Sequence, residues 1–235
     1  MSYFYRTIPD GAFSYMGLEH IIFSLCIIFI LFLDKKYLVK NSRILEKVIL
    51  FVLIFDVLNR YLFYVITGYN LVIEGLPIYH CRIVVLLIIY SILSKSQFFY
   101  SLIYYWSVLG ALSCVIYPVP DNFQFPHILT LLFFTSHISI FLYAKLKMEF
   151  VKRDDYKKVM VYTFIYNLFL YLVNQFLHSN YGTLSEPPFL GELFSYIGNF
   201  GYFLFANIVY ILAIYIIYFF TFNFKKMIKG IICSF

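Results

Sequence analysis

The chain has 235 residues, 63% of them hydrophobic and 13% charged, with a formal net charge of +6 and a mean hydropathy of +0.84. A soluble domain carries roughly 45–50% apolar and about 25% charged residues, so a water-soluble fold is excluded and a polytopic membrane protein is expected. The positive charge does not point to nucleic acid, because the basic residues gather on one membrane side. The four cysteines, Cys26, Cys81, Cys114 and Cys233, form no CxxC and no framework for disulfides or zinc.

Residues 1–16 are mildly polar. The first apolar run, Ile21 to Leu33 and extendable back to Gly17, has the length of a signal-peptide core. However, Lys35, Lys36 and Lys40 follow it rather than precede it, and no small-x-small cleavage site appears. It is therefore expected to be an uncleaved first helix, over 17–33. Six further spans are expected at 47–67, 76–93, 98–117, 126–144, 159–177 and 196–222. Each is near the roughly 20 residues that cross a ~30 Å hydrocarbon core. Helices are the default because lipid leaves no partner for unpaired backbone groups, and the alternation of barrel strands is missing. The connections carry turn residues: Gly68-Tyr69-Asn70, Pro118-Val119-Pro120-Asp121-Asn122, and Gly182 through Pro187-Pro188. No internal repeat, linker or second domain is visible. The expected fold class is all-α, a seven-transmembrane-helix bundle forming one integral membrane domain over 1–235.

Seven spans put the termini on opposite sides, and the basic residues decide which side is which. One side holds the N-terminus and the 68–75, 118–125 and 178–195 loops, with Arg6 as its only Lys or Arg. The other holds fifteen: Lys35, Lys36, Lys40, Arg43, Lys47, Lys95, Lys145, Lys147, Lys152, Arg153, Lys157, Lys158, Lys225, Lys226 and Lys229. The basic side is expected to be cytoplasmic, with the N-terminus outside and the C-terminus inside. Arg60 and Arg82 remain within spans.

With this topology all five histidines and both intraspan arginines fall in the outer half or near the midplane, while the inner half is almost purely apolar. That gradient predicts a polar cavity open to the outer half of the membrane. Asp56, Asn59 and Arg60 share a helix face through their i, i+3, i+4 spacing, and Asp56 with Arg60 also fits a structural ion pair. Arg82 could pair with Glu19, Asp56 or Glu74, or snorkel to headgroups. His20, His127 and His178 lie where an interfacial histidine is cheap. Asn167, Asn174, Asn199 and Asn207 fit interhelical hydrogen bonding. Cys26, Cys114 and Cys233 read as small hydrophobes. Cys81 stands apart, between His80 and Arg82 at the mouth of the third span. His137 is too deep to reach water and calls for a partner. A cysteine activated by a histidine from another helix is a minimal nucleophile–base pair; a buried, hydrogen-bonded histidine beside an inert cysteine is the alternative.

Several strings then occur in order: Leu76-Pro77 followed by Cys81-Arg82, Gly110-Ala111-Leu112 leading to Pro118, and Phe125-Pro126-His127 leading to Ser136-His137. Asn174 follows, then Asn180-Tyr181-Gly182, Leu184 and Pro187. As a set they resemble the YwaF family of bacterial integral membrane proteins, over most of the chain from the second span to the loop before the seventh. That family includes a vertebrate protein linked to acyl transfer onto ether phospholipids, with a proposed Cys/His active site. The resemblance implies a multi-pass protein of a bacterial cell membrane, with Cys81 and His137 as catalytic residues. Family members often carry a histidine two places before the cysteine. Here that place is Tyr79, and His80 lies about 100° further round a helix, so it need not substitute.

The function expected is acyl transfer or acyl hydrolysis on membrane lipids, with Cys81 forming a thioester and His137 acting as base and then acid. Arg82, Arg60 or Asn180 could bind headgroup phosphate or the oxyanion, with His80, Asp56, Asn174, Tyr181 and His127 as supporting residues. No cofactor, metal or nucleic acid is expected, and the partners are membrane lipids, among them a phospholipid substrate. By residue count Cys81 lies about 7–8 Å below the start of its span and His137 about 16 Å below its own, so the two meet only if the third span begins deeper or the helices tilt. Small-solute or lipid binding and transport is the alternative, weakened by the lack of repeats and matched helix breaks. A purely structural membrane protein is the third reading.

Overall fold

The computed structural model describes residues 3–11, 15–68, 71–188 and 191–223, apart from the side chain of Leu193. Tyr69, Asn70, Lys225, Lys226, Lys229 and Cys233, which the sequence reading used, lie outside the described residues. Every regular element among those described is helical. The helices are α1 (Leu18–Phe32), α2 (Lys35–Lys40), α3 (Ser42–Thr67), α4 (His80–Ser94), α5 (Tyr100–Ile116), α6 (Ile128–Lys147), α7 (Asp155–Leu177), α8 (Gly191–Ser195) and α9 (Gly198–Phe222).

Each expected span coincides with a helix. By length and composition α3, α6 with the 3₁₀ turn that continues it, α7 and α9 are long and apolar enough to cross a membrane, whereas α1, α4 and α5 are shorter. Two boundaries differ from the sequence reading. Helix α3 begins at Ser42 rather than Lys47, because hydropathy marks only the lipid-facing part and the backbone ladder runs on through Arg43, Glu46 and Lys47. Helix α4 begins at His80 rather than Leu76, with Tyr79 as an extended N-cap. Pro77 disfavours a helical Leu76, and the Leu76 carbonyl, which a helix would give to a backbone N–H, is taken by the Arg82 side chain.

The chain forms two compact units, residues 1–150 and 151–235. In the first, α6 is the hub: it packs against α1, α2, α3, α4 and α5. Helix α1 offers a buried stripe of His20, Phe23, Ile27 and Ile30, the i, i+3, i+7 spacing of one helical face. Phe23, Ile27 and Ile30 join Ala111, Cys114, Phe134 and Phe141 in one apolar cluster. On the other flank Phe63 and Tyr64 of α3 meet Phe123, Ile128, Leu129 and Leu132. The buried stripe of α3 runs Ile49, Leu53, Asp56, Arg60, Phe63 and Tyr64. Its opposite face is apolar and exposed, with Phe51, Phe55, Leu58, Leu62 and Val65. A helix that hides its charges and shows its hydrocarbon is ordered for lipid rather than for water.

In the second unit α7 packs on α9 and α8 on α9. The Asn167 amide donates to Asn207 at 3.0 Å, both buried, which is the interhelical bond expected of them. Asn199 is exposed and takes no such part.

Candidate functional site

The segment before α4 is shaped from the side. A π-helical turn, Leu71–Gly75, precedes the Leu76-Pro77 step. A Cβ on Gly75 would stand 2.8 Å from Leu71 Cδ1 and 3.2 Å from the Tyr64 ring, so the turn lies close against α3 and a larger residue would push Leu71 and Tyr64 aside. Arg82 reaches back to hold this turn. Its Nη1 donates to the Glu74 carbonyl at 2.6 Å and to the Leu76 carbonyl at 3.0 Å. Its Nη2 donates to the Tyr64 hydroxyl at 3.0 Å, and the guanidinium lies 4.7 Å over the Tyr79 ring. Arg82 ties down the backbone that sets where α4 starts. Cys81 is therefore the second residue of α4, half-buried.

Arg82 is one end of a charged chain. The Tyr64 hydroxyl, which accepts from Arg82, donates to Asp121 Oδ1 at 3.2 Å. Asp121 Oδ2 accepts from Arg60 Nη1 at 3.3 Å, and Asp56 Oδ1 accepts from Arg60 Nη2 at 3.0 Å. The Asp56–Arg60 pair is the one the i, i+4 spacing predicts. Asp121 was missed, because it arrives from the loop before α6, 61 residues away; the only sequence signal was a lone acidic residue among the prolines of that loop. Cys81 lies within electrostatic range of Arg82, Arg60 and Asp56.

His137 sits on α6, 4% exposed. Its Nδ1 is 2.7 Å from the Phe133 carbonyl. A carbonyl can only accept, so Nδ1 carries the proton and the neutral ring keeps its lone pair on Nε2. That nitrogen faces α5. A Cβ added at Gly110 would be 3.9 Å from it, and Cys114, one turn on, lies within electrostatic range of the ring. The glycine of the Gly-Ala-Leu string thus leaves room for the imidazole. Cys114, read from sequence as a small hydrophobe, sits in the apolar cluster and within electrostatic range of His137. Arg60 is within electrostatic range of His137, so it neighbours both the histidine and Cys81.

Three of the other histidines, His20, His80 and His127, have structural partners. His80 packs edge-on to Trp106, ring centroids 4.8 Å apart. His127 is fully buried and stacks on Phe123 at 3.9 Å. Its Nδ1 accepts from the Leu129 N–H and its Nε2 donates to the Arg6 carbonyl, so it caps α6 as a neutral ring. His20 is buried. Its Nε2 donates to the Cys114 and Val115 carbonyls at 3.2 and 3.1 Å, pinning α1 to the end of α5.

Asn174, Asn180 and Tyr181 belong to the second unit and shape its 178–188 loop. The Asn174 oxygen accepts from Ser179 Oγ and the Tyr181 N–H while its nitrogen donates to the Tyr181 carbonyl. The Asn180 oxygen accepts from the Ser185 and Glu186 N–H groups, and its nitrogen donates to the Glu186 carbonyl. Both lone pairs of each amide oxygen are used within the loop, so these side chains build its shape. Gly182 completes it at φ +68°.

A family model described as the TMEM164 family matches residues 12–218 of the chain. No curated protein and no solved structure matches it.

Proposed function

The chain belongs to the TMEM164 family, and on that premise we propose that it moves an acyl group from a membrane lipid ester, to a second lipid or to water. It is a multi-pass membrane protein, and the proposal extends to seven crossings, an outward N-terminus, a bacterial cell membrane and a phospholipid substrate. The proposed nucleophile is Cys81, with His137 as the base that takes the thiol proton and returns it to the leaving alcohol. The observation that carries the reading is the state of His137: a buried imidazole whose Nδ1 is committed to a carbonyl and whose Nε2 is left as the basic nitrogen. That basic nitrogen lies inside the first unit, facing α5, where a proton acceptor for a thiol is available.

The test is lipidomics of cells expressing wild type, Cys81→Ser and His137→Ala at matched protein levels. Wild type should change the acyl composition of one lipid class and both variants should abolish the change. Identical lipid profiles in all three would leave lipid binding, transport or a structural role as the reading. A second reading has one observation in its favour: Cys114, on the helix that His137 faces, is within electrostatic range of the ring. A Cys114→Ser arm separates the two. Loss of activity in Cys114→Ser with retention in Cys81→Ser would transfer the nucleophile to α5.

A further inference from the structure

Two buried donors on α3 have no acceptor. Both Nη atoms of Arg60 are engaged by Asp56 and Asp121, but its Nε is buried without a hydrogen-bond partner. The hydroxyl of the next residue, Tyr61, is buried and equally unpartnered. Arg60 is only 5% exposed. Leaving a buried donor unmatched costs about 1–3 kcal/mol, and native folds keep few such groups without a reason. Two on consecutive residues mark a place where an oxygen is wanted.

Their position says which oxygen. Tyr64 lies on the same face of α3 one turn on, and it receives Arg82 from the first turn of α4. This face of α3 therefore meets the start of α4, where Cys81 sits. The thiol is within electrostatic range of Arg60 and Arg82, and the Tyr61 hydroxyl within range of the same two guanidiniums. Arg82 is engaged with the Glu74 and Leu76 carbonyls and Asn180 with its own loop, whereas Arg60 Nε and the Tyr61 hydroxyl are wholly unpartnered.

We propose that Arg60 Nε and the Tyr61 hydroxyl are the oxyanion donors for a fatty acyl ester attacked at Cys81, an inference that rests on the acyl-transfer reading. The Cys81 proton passes to His137 and the sulfur forms a bond to the ester carbonyl carbon. The π pair moves onto the carbonyl oxygen, which accepts from Nε–H and O–H. When the pair returns, the C–O bond to the lipid alcohol breaks. The departing oxygen takes the proton from His137, leaving a thioester and a neutral lysolipid. Water or a second lipid alcohol, deprotonated by the same histidine, then attacks the thioester and restores the thiol. Asp56 and Asp121 hold Arg60 rigidly by its other two nitrogens, so Nε–H is fixed in direction before the charge appears, which is the condition for strong stabilisation.

The test uses the full chain reconstituted in phosphatidylcholine vesicles that contain a fluorescent-acyl phosphatidylethanolamine and a lysophospholipid acceptor. Tyr61→Phe removes one hydroxyl and touches no ion pair; Arg60→Lys keeps the charge between the carboxylates and removes Nε–H. For loss of one oxyanion donor we expect kcat to fall by about 10²–10³-fold. KM and the rate at which a lipid-like maleimide alkylates Cys81 should stay at the wild-type level. Tyr61→Phe decides the matter if Arg60→Lys does not fold. A Tyr61→Phe protein with wild-type kcat overturns this proposal alone. So does a kcat loss matched by an equal loss of Cys81 alkylation, which would make Tyr61 merely structural. A wild-type protein that turns over no ester while Cys81 alkylates normally overturns the acyl-transfer reading, and the oxyanion site with it.

Discussion

The ion pairs of this protein differ in worth because they differ in surroundings. Arg60 and Asp121 meet with side chains only 7% and 8% exposed, while Lys35 and Glu149 meet with 74% and 40% exposed. Removing one partner of a buried pair strands a charge and costs about 3–5 kcal/mol; an exposed pair is screened and contributes about 0–1 kcal/mol. Asp121→Ala leaves Arg60 paired with Asp56 but takes an acceptor from Arg60 and from Tyr64, so it should lower unfolding free energy in detergent by about 1–3 kcal/mol, and Lys35→Ala by less than about 1 kcal/mol. Equal effects in a denaturant titration would contradict this ordering. The same residues mark what a sequence can reveal. Asp56 with Arg60 was legible because both lie on one helix at a fixed spacing. Asp121 was not, because loop residues have no periodicity that aims them. Cys114 read as filler because its partner comes from another helix, and the i, i+4 relation of Cys114 to Gly110 gains meaning only once His137 occupies the gap.

At the scale of elements, helix positions were legible and helix ends were not. Hydropathy located all seven apolar spans, yet the starts of α3 and α4 were displaced by features outside its reach: a ladder that continues through charged residues, and an arginine that captures the carbonyls ahead of α4. The contact between α5 and α6 offers a graded test. At Gly110 an added Cβ finds the His137 ring at 3.8–3.9 Å, ordinary contact distance. Gly110→Ala should be tolerated and should stabilise α5 by up to about 1 kcal/mol through helix propensity. Gly110→Leu forces extra methylenes against the ring and should destabilise by about 1–3 kcal/mol. Thermal unfolding of the two variants in the same detergent checks the sign; two shifts in the same direction would contradict the close approach.

For the whole molecule, the N-terminal segment straps the start of α6. Arg6 donates to the Pro126 carbonyl at 2.9 Å and to the Gln124 carbonyl, and Asp10 accepts from the Gln124 N–H at 2.9 Å. The hydrogen bond from Arg6 holds the Asp10 carboxyl below its ordinary value near 3.8. A lowered folded value means the strap's contribution is complete above the unfolded pKa and is lost as pH falls through the folded one. Limited proteolysis of residues 3–11 should thus be constant from neutral pH down to about 4 and accelerate below it, and Asp10→Asn should remove the dependence. A steady rise beginning near pH 6 would point to another group. The charged chain inside the first unit has a different consequence, one of selectivity. Asp56, Asp121, Arg60 and Arg82 are two anions and two cations bound to one another through Tyr64. Their charges cancel, and the field of such a quartet dies away within a few ångströms of it. On the proposed acyl-transfer reading, the quartet would neither draw in nor turn away a lipid for the charge of its headgroup. Choice among zwitterionic and anionic lipids would then fall to shape and to chain fit, and it should be indifferent to salt.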